Sequence, residues 1–441
     1  MKQLSRLTLA TLGLGLVATA QDSVLPYLPK DTIIAVTAPD IAGSLERLSQ
    51  MPLAKMWAEE EVQNFVADVE ELIHTKFEEL LQQGREMHAQ GQLPVDPDEL
   101  LKLRMRSITL ALTHLEIGMG DFGPEPKIGV VLHLDFGPTA PQWHSLLQLG
   151  MGLLEAQAGE QVTKSEAKIG DWPLTTLTPN RVQNAAMGLT MVALPEGLLL
   201  GTLPDEVRGV AESLLAKKAV LGANESFAAA IQQVAGSEVT SYARFDPMVD
   251  FALSLLRLAS ESSDELAMVD MEGVERAVTA MGLRNLPTEV STTSYVDGKC
   301  VSRSIRTTTG VVAGGTEAVA ATVDTSFLKW VPKDAVGFSA GTMNVMRIYD
   351  TLLKGLQAYD SELATQLLGQ LAEVEKQVGF RVRDDLLGSV GDHYMTWSMP
   401  MGTITSAPEM ALLLQVRDEQ KLVQSLMAIA KSSEGAIEIE E

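Results

Sequence analysis

His133-x-Asp135 is the first pairing in the chain with the chemistry of a metal site. On a strand, residues two apart face the same side, and imidazole and carboxylate both bind Zn²⁺. A third ligand at a recognisable spacing does not follow, since His144 falls on the next helix. The expected role is therefore that of a sheet-edge histidine near solvent. Asp384, Asp385, Asp392 and His393 form the densest acidic cluster of the C-terminal part. Calcium needs several oxygens converging from one loop, and the D-x-[DN]-x-[DN]-G order of an EF-hand is missing. Asp384 or Asp385 more simply caps a turn before Leu386 and Leu387, with weak cation binding left open. Met395, Trp397, Met399 and Met401 alternate, and thioethers outside the cytoplasm can hold Cu(I). Pro400 weakens a strand at that point, and Trp and Met are ordinary occupants of a packed sheet face, which is the expectation.

Nucleophilic chemistry is no better supplied. Gly341-Thr-Met and Gly388-Ser-Val lack the flanks of a nucleophile elbow. Cys300, the only cysteine, sits in a hairpin strand beside Val301. A reactive thiolate needs more than the nearby Lys299 and Arg303, so a buried thiol is expected and its reactivity stays open. Gly310 to Gly315 does not fit the spacing of a P-loop or of a dinucleotide-binding turn. No catalytic, cofactor-binding or metal-binding residue is assigned, and the chain is expected not to be an enzyme.

The elements that would position these residues are organised by an internal echo. Leu25-Pro-Tyr-Leu-Pro-Lys-Asp-Thr-Ile33 is matched by Leu328-Lys-Trp-Val-Pro-Lys-Asp-Ala-Val336, an offset of 303 residues. Each copy leads into a short apolar strand (33–38 and 336–340) and then helices. The first long helix, expected over 59–83, places Val62, Phe65, Val66, Val69, Leu72, Ile73, Phe77, Leu80 and Leu81 on one stripe. Its counterpart after Asp360 carries Leu363, Leu367, Leu368, Leu371, Val374 and Val378, with Asp360 or Ser361 as N-cap. Asp98-Glu-Leu-Leu101 answers Asp384-Asp-Leu-Leu387. Two strands follow in each copy (107–115 and 128–135; 393–399 and 410–416), then an amphipathic helix. The first copy adds two more strands, about 162–178 and 189–202, where the second stops at Glu441. A sheet lacking those strands would expose an edge, so truncation is favoured over a shorter final unit. Between the copies, strands 289–296 and 299–307 are joined by Asp297-Gly298, a type I′ hairpin signal, after helices at 247–258 and 264–281.

Paired strands followed by helices read as α+β, with antiparallel sheets covered by long amphipathic helices in tandem repeated units. The expected divisions are a signal peptide at 1–20, a first unit at 21–236, and an intermediate α+β segment at 237–316. That segment ends in the small-residue linker Thr307-Thr-Thr-Gly-Val-Val-Ala-Gly-Gly-Thr316, and a second, shorter copy occupies 317–441.

At these residues the chain resembles a poorly characterised family of large secreted bacterial proteins, frequent in planctomycetes, known as a domain of unknown function. The resemblance is carried by Leu28-Pro-Lys-Asp31 and Val331-Pro-Lys-Asp334 opening strands. It continues in the helix from Asp40 to Leu48 with Met51-Pro-Leu-Ala-Lys-Met-Trp57, and in the phrase from Asp384 to Asp392. It covers most of the mature chain. It implies a secreted, repeated α+β protein and no activity.

The N-terminus agrees with export. Lys2 and Arg6 precede an apolar run from Leu7 to Val17, and Ala18-x-Ala20 fits signal-peptidase cleavage after Ala20. The run is too short for a stable spanning helix, which needs about 20 residues. Loss of Lys2 and Arg6 would take the net charge from −24 to −26. Such a surface repels nucleic acid and anionic head groups, and no integral membrane segment is expected in the mature chain. A periplasmic or extracellular, non-catalytic envelope protein that binds or scaffolds a partner is the first functional expectation. It requires a filled core and an exposed apolar patch of several hundred Å². The alternative is a carrier or sensor of an apolar ligand held between sheet and helices, which requires an internal apolar pocket of about 300–1,000 Å³.

Overall fold

The computed structural model describes residues 23–91, 93, 96–100, 104–120, 123–180, 187–232, 237–263, 266, 268–307, 325–399 and 410–432. The expected signal peptide, most of the linker, and Leu101, Pro400 and Met401 lie outside them.

Leu28-Pro-Lys-Asp31 leads into β1 (Ile34–Ala38), and the Asp40 carboxylate then accepts from the Gly43 amide at 2.9 Å to cap α1 (Ile41–Ser49). Helices α2 (Pro52–Trp57), α3 (Glu60–Ala89) and α4 (Pro97–Leu100) follow, then the hairpin β2 (Ser107–Gly120) and β3 (Gly123–Asp135) and helix α5 (Ala140–Ala158). Strands β4 (Val162–Ile169), β5 (Trp172–Pro179), β6 (Leu189–Leu194) and β7 (Gly197–Gly201) form a meander. Four strands stand where the sequence reading placed two. Gly170, at φ +60°, and Pro195-Glu196 turn the chain inside the two expected strands. After α6 (Pro204–Leu215) and α7 (Glu225–Gln232) come β8 (Val239–Ala243), α8 (Asp246–Ser262), α9 (Met271–Ala280), β9 (Thr288–Val296) and β10 (Lys299–Thr307). Helix α9 starts at Met271, later than the expected 264, because Met268, Val269 and Asp270 are not helical. Asp297 and Gly298 both take positive φ, +50° and +72°, as a type I′ turn requires.

The described residues divide into two compact units: those to Leu258 with Pro287 to Thr307, and Ala259–Leu286 with those from Thr325. The first unit holds a sheet of ten described strands in the order β10-β9-β8-β1-β2-β3-β7-β6-β5-β4, antiparallel throughout. The strands of the expected intermediate segment thus extend the first sheet, through β8 paired with β1 (Ile34↔Ala243 to Thr37↔Thr240). On one face Ala35, Ala111, Val131, Tyr242, Val290, Val192 and Leu199 share a core with Val207 and Val210 of α6 and Phe227 of α7. A second core joins Leu177, Met191 and Leu198 to Phe136, Ala140 and Met151, and Trp143 stacks on Phe136 with ring centroids 4.5 Å apart. The stripe expected on α3 is not buried where it is described: Phe77 and Leu80 are exposed.

The second unit contains β11 (Gly337–Thr342), α10 (Val345–Tyr359), α11 (Ser361–Val378), β12 (Val390–Ser398), β13 (Met410–Val416) and α12 (Glu419–Ser432), together with α9. Its sheet runs β11-β12-β13, again antiparallel. Asn344 caps α10 through the Arg347 amide, and Asp360 caps α11 through the Glu362 and Leu363 amides. Helices α9 and α10 approach closely: a Cβ on Gly355 would lie 2.7 Å from Met281 Sδ. The order strand, helices, hairpin therefore occurs three times along the chain: β1, α1–α4, β2–β3; β8, α8–α9, β9–β10; and β11, α10–α11, β12–β13.

Candidate functional site

The histidines and aspartates among the candidates find a partner or a burial that bears on their chemistry. His133 is not at a sheet edge. It lies in β3 between Thr109 of β2 and Leu199 of β7, its Nδ1 is sealed from solvent without a partner, and burial pushes its pKa down to about 4. It stays neutral at physiological pH. Asp135, two residues on, accepts from Arg106 Nη2 at 3.1 Å and from the Gly137 amide at 2.8 Å, and Arg106 also donates to Glu196 at 2.8 Å. Its charge is thus already matched. Gly137 sits at φ +54°, with Arg106 2.8 Å from where a Cβ would stand. His144 is drawn off to the Gly197 carbonyl, 2.7 Å from its Nε2.

The acidic cluster is a clasp between helices. The segment Val382–Leu386 makes a wide π-type turn, closed by the Asp385 carboxylate accepting from the Arg381 amide at 2.8 Å. That amide, with Lys421 and the Arg381 guanidinium, holds the Asp385 carboxyl below the usual carboxylate range. Arg383 makes a bidentate pair with Asp350 of α10, at 2.8 and 2.7 Å, and reaches Asp384 at 3.0 Å. Arg381 meets Asp384 at 3.0 Å, Lys421 of α12 stands 3.6 Å from Asp385, and Arg417 pairs with Asp392. Glu375 of α11 accepts from the Val382 amide at 2.8 Å. Three aspartates that read as a loose cation site are thus engaged by two arginines on their own turn and by Arg417 and Lys421 beyond β13. Among the described residues no group of three or more His, Cys, Asp or Glu is arranged to hold a metal ion.

Met395 is fully buried, opposite Ala340 and Leu413, in keeping with the packing expected of it. Met399 falls just past the end of β12. Cys300 is exposed on β10, not buried, because β10 is the outermost strand of its sheet. The chain does carry one G-x-S-x-G string where no nucleophile elbow is expected from the sequence: Gly337-Phe338-Ser339-Ala340-Gly341. A nucleophile elbow is a sharp strand-to-helix turn, whereas Ser339 lies mid-strand in β11, opposite Thr396. His393 pairs with Thr342, three residues from Ser339 and so on the other face of the pleat. Ser339 and His393 therefore form no dyad.

What the structure brings forward instead is the three-stranded sheet. Along β13 the side chains alternate, and one row is Met410, Leu412, Leu414 and Val416, exposed by 71%, 60%, 39% and 44%. No charge interrupts that strand. The outer strands of the ten-stranded sheet differ: β10 carries Lys299, Arg303 and Arg306, and β4 carries Lys164, Glu166 and Lys168. Charged edges deter pairing with other chains. On β11, Phe338 is 59% exposed, and Val336 just before it 67%. The sequence marks β13 as an apolar strand, but an uncharged apolar run reads equally as a buried one, so its exposure was not legible there.

Among the described residues, two hollows lie open to solvent. One, of about 650 Å³, runs along α3 and is lined by Thr75, Glu78, Glu79, Gln82 and Gln83. The other, of about 510 Å³, is lined by Glu272, Glu275, Arg276, Thr279, Ala280 and Arg284. Neither is the enclosed apolar chamber a ligand carrier needs. No helix of the described residues is long and apolar enough to cross a membrane. Comparison with protein-family models, with curated proteins and with solved structures gives no match for this chain.

Proposed function

We propose that this chain is an exported, non-catalytic envelope or extracellular protein, built of tandem strand–helices–hairpin modules under amphipathic helices, that binds a protein partner along β13. The uncharged, exposed row Met410, Leu412, Leu414 and Val416 carries this reading. The recurring element order supports the tandem modules, and the N-terminal sequence pattern supports export. The mode of binding is read from the first module. There the corresponding strand, β3, has its outer edge taken by β7, with Val131↔Gly201 to Asp135↔Gly197 in register. A partner's extended strand would add to β13 in the same way, main-chain hydrogen bonds supplying affinity and alternate side chains specificity.

The test is native mass spectrometry of the chain from Gln21, purified from cells that export it and then solvent-extracted. A complex with another protein, lost on Leu412→Lys, is the expected result. A discrete adduct extracted as an apolar small molecule would overturn this reading in favour of a ligand carrier.

A further inference from the structure

We infer that the chain forms a two-fold dimer in which β11 pairs antiparallel with β11 of a second copy, joining two three-stranded sheets into one of six strands. The template is inside the chain. The first two modules meet through their first strands, β1 and β8, edge to edge and antiparallel. The third module's first strand, β11, pairs among the described residues only with β12. Three modules leave one such edge without a fellow, and an identical chain supplies it. A closed pair of like edges is the isologous arrangement that limits assembly to a dimer.

The residues of β11 suit this use. It is uncharged, and Ser339 and Phe338 are both exposed. The segment leading into it adds the exposed Leu328, Trp330 and Val336. Directly opposed residues of an antiparallel pair share a face. In a symmetric pair, residues facing each other must then be an even number apart in sequence. A register centred on Ser339 sets each Phe338 against the partner's Ala340, and Gly337 against Gly341. The β1–β8 seam uses the same aromatic-on-alanine match, Tyr242 opposite Ala35, with both side chains fully covered. Phe338 would pass from exposed to covered on dimerisation.

Sedimentation velocity of the full chain over a hundredfold concentration range should show a species of twice the 47.5 kDa chain mass. Phe338→Lys should weaken it at least about tenfold, since it puts a charge into the strand seam, while Leu412→Lys on β13 should leave it unchanged. As a check that does not depend on the lysine variant's folding, Ser339→Cys in a Cys300→Ser background should oxidise to a covalent dimer, and Leu412→Cys should not. A monomer at every concentration, a dimer indifferent to Phe338→Lys, or cross-linking at 412 but not at 339 would overturn the inference. None of these outcomes bears on the foreign partner of β13, which is scored by the Leu412→Lys complex.

Discussion

Replacing the half-buried His133 with leucine isolates one titration and its effect on stability. In the folded chain burial lowers this imidazole from 6.5 to about 4, whereas the unfolded chain keeps a value near 6.5. Between those limits the unfolded state binds a proton that the folded state refuses. Stability from this group is therefore complete above about pH 6.5 and is lost as the pH falls toward about 4. The gap of about 2.5 pH units, at about 1.4 kcal/mol each, makes the loss about 3 kcal/mol. His133→Leu removes this route, along with an Nδ1 that has no partner, so it should match or exceed the wild type at neutral pH. Urea unfolding followed by circular dichroism at steps from about pH 7.5 to about pH 4 compares the two chains, and their difference cancels the titration of carboxylates elsewhere. The expected result is a difference that grows in the variant's favour by about 3 kcal/mol across that range. A constant difference would refute the assignment of a neutral, desolvated His133.

Other changes test the packing and the polar contacts. Tyr242→Phe removes a buried hydroxyl without a hydrogen-bond partner, so thermal unfolding should be unchanged or raised, against the usual cost of a core substitution. Arg47→Met takes away one partner of the buried Glu238 carboxylate, leaving it, among the described residues, the Tyr295 amide at 3.0 Å; chemical denaturation should show a loss of about 1–3 kcal/mol. Gly355→Leu forces a side chain into Met281 across the α9–α10 contact, and a destabilisation of about 1–3 kcal/mol is expected in the same assay. Cys300 is exposed on its edge strand, so a maleimide should label the folded protein at the rate of the urea-unfolded chain to within about tenfold, whereas a buried thiol would wait on unfolding.

Local chemistry was legible in the sequence, and so were the elements it builds. Three-and-four spacing marked α11, Asp360 or Ser361 its cap, of which the structure uses Asp360, and Asp297-Gly298 the β9–β10 turn, because each depends on atoms a few residues apart. Alternation placed β13 to the residue. Which strands become neighbours was not written locally. The β1–β8 seam joins Ile34 to Ala243, and its existence turned a separate intermediate segment into part of one sheet. The same distant pairings decided the chemistry. His133 became a desolvated, neutral ring because β2 and β7 flank it, and Asp384, Asp385 and Asp392 became a clasp because Arg381 on their own turn and Arg417 and Lys421 beyond β13 reach them. Residue type and spacing thus determined many of the elements, though not the division of residues 162–201 into four strands. Burial, charge pairing and the outer positions of β11 and β13 among the described strands arise from contacts between remote segments, and only the tertiary structure could decide them.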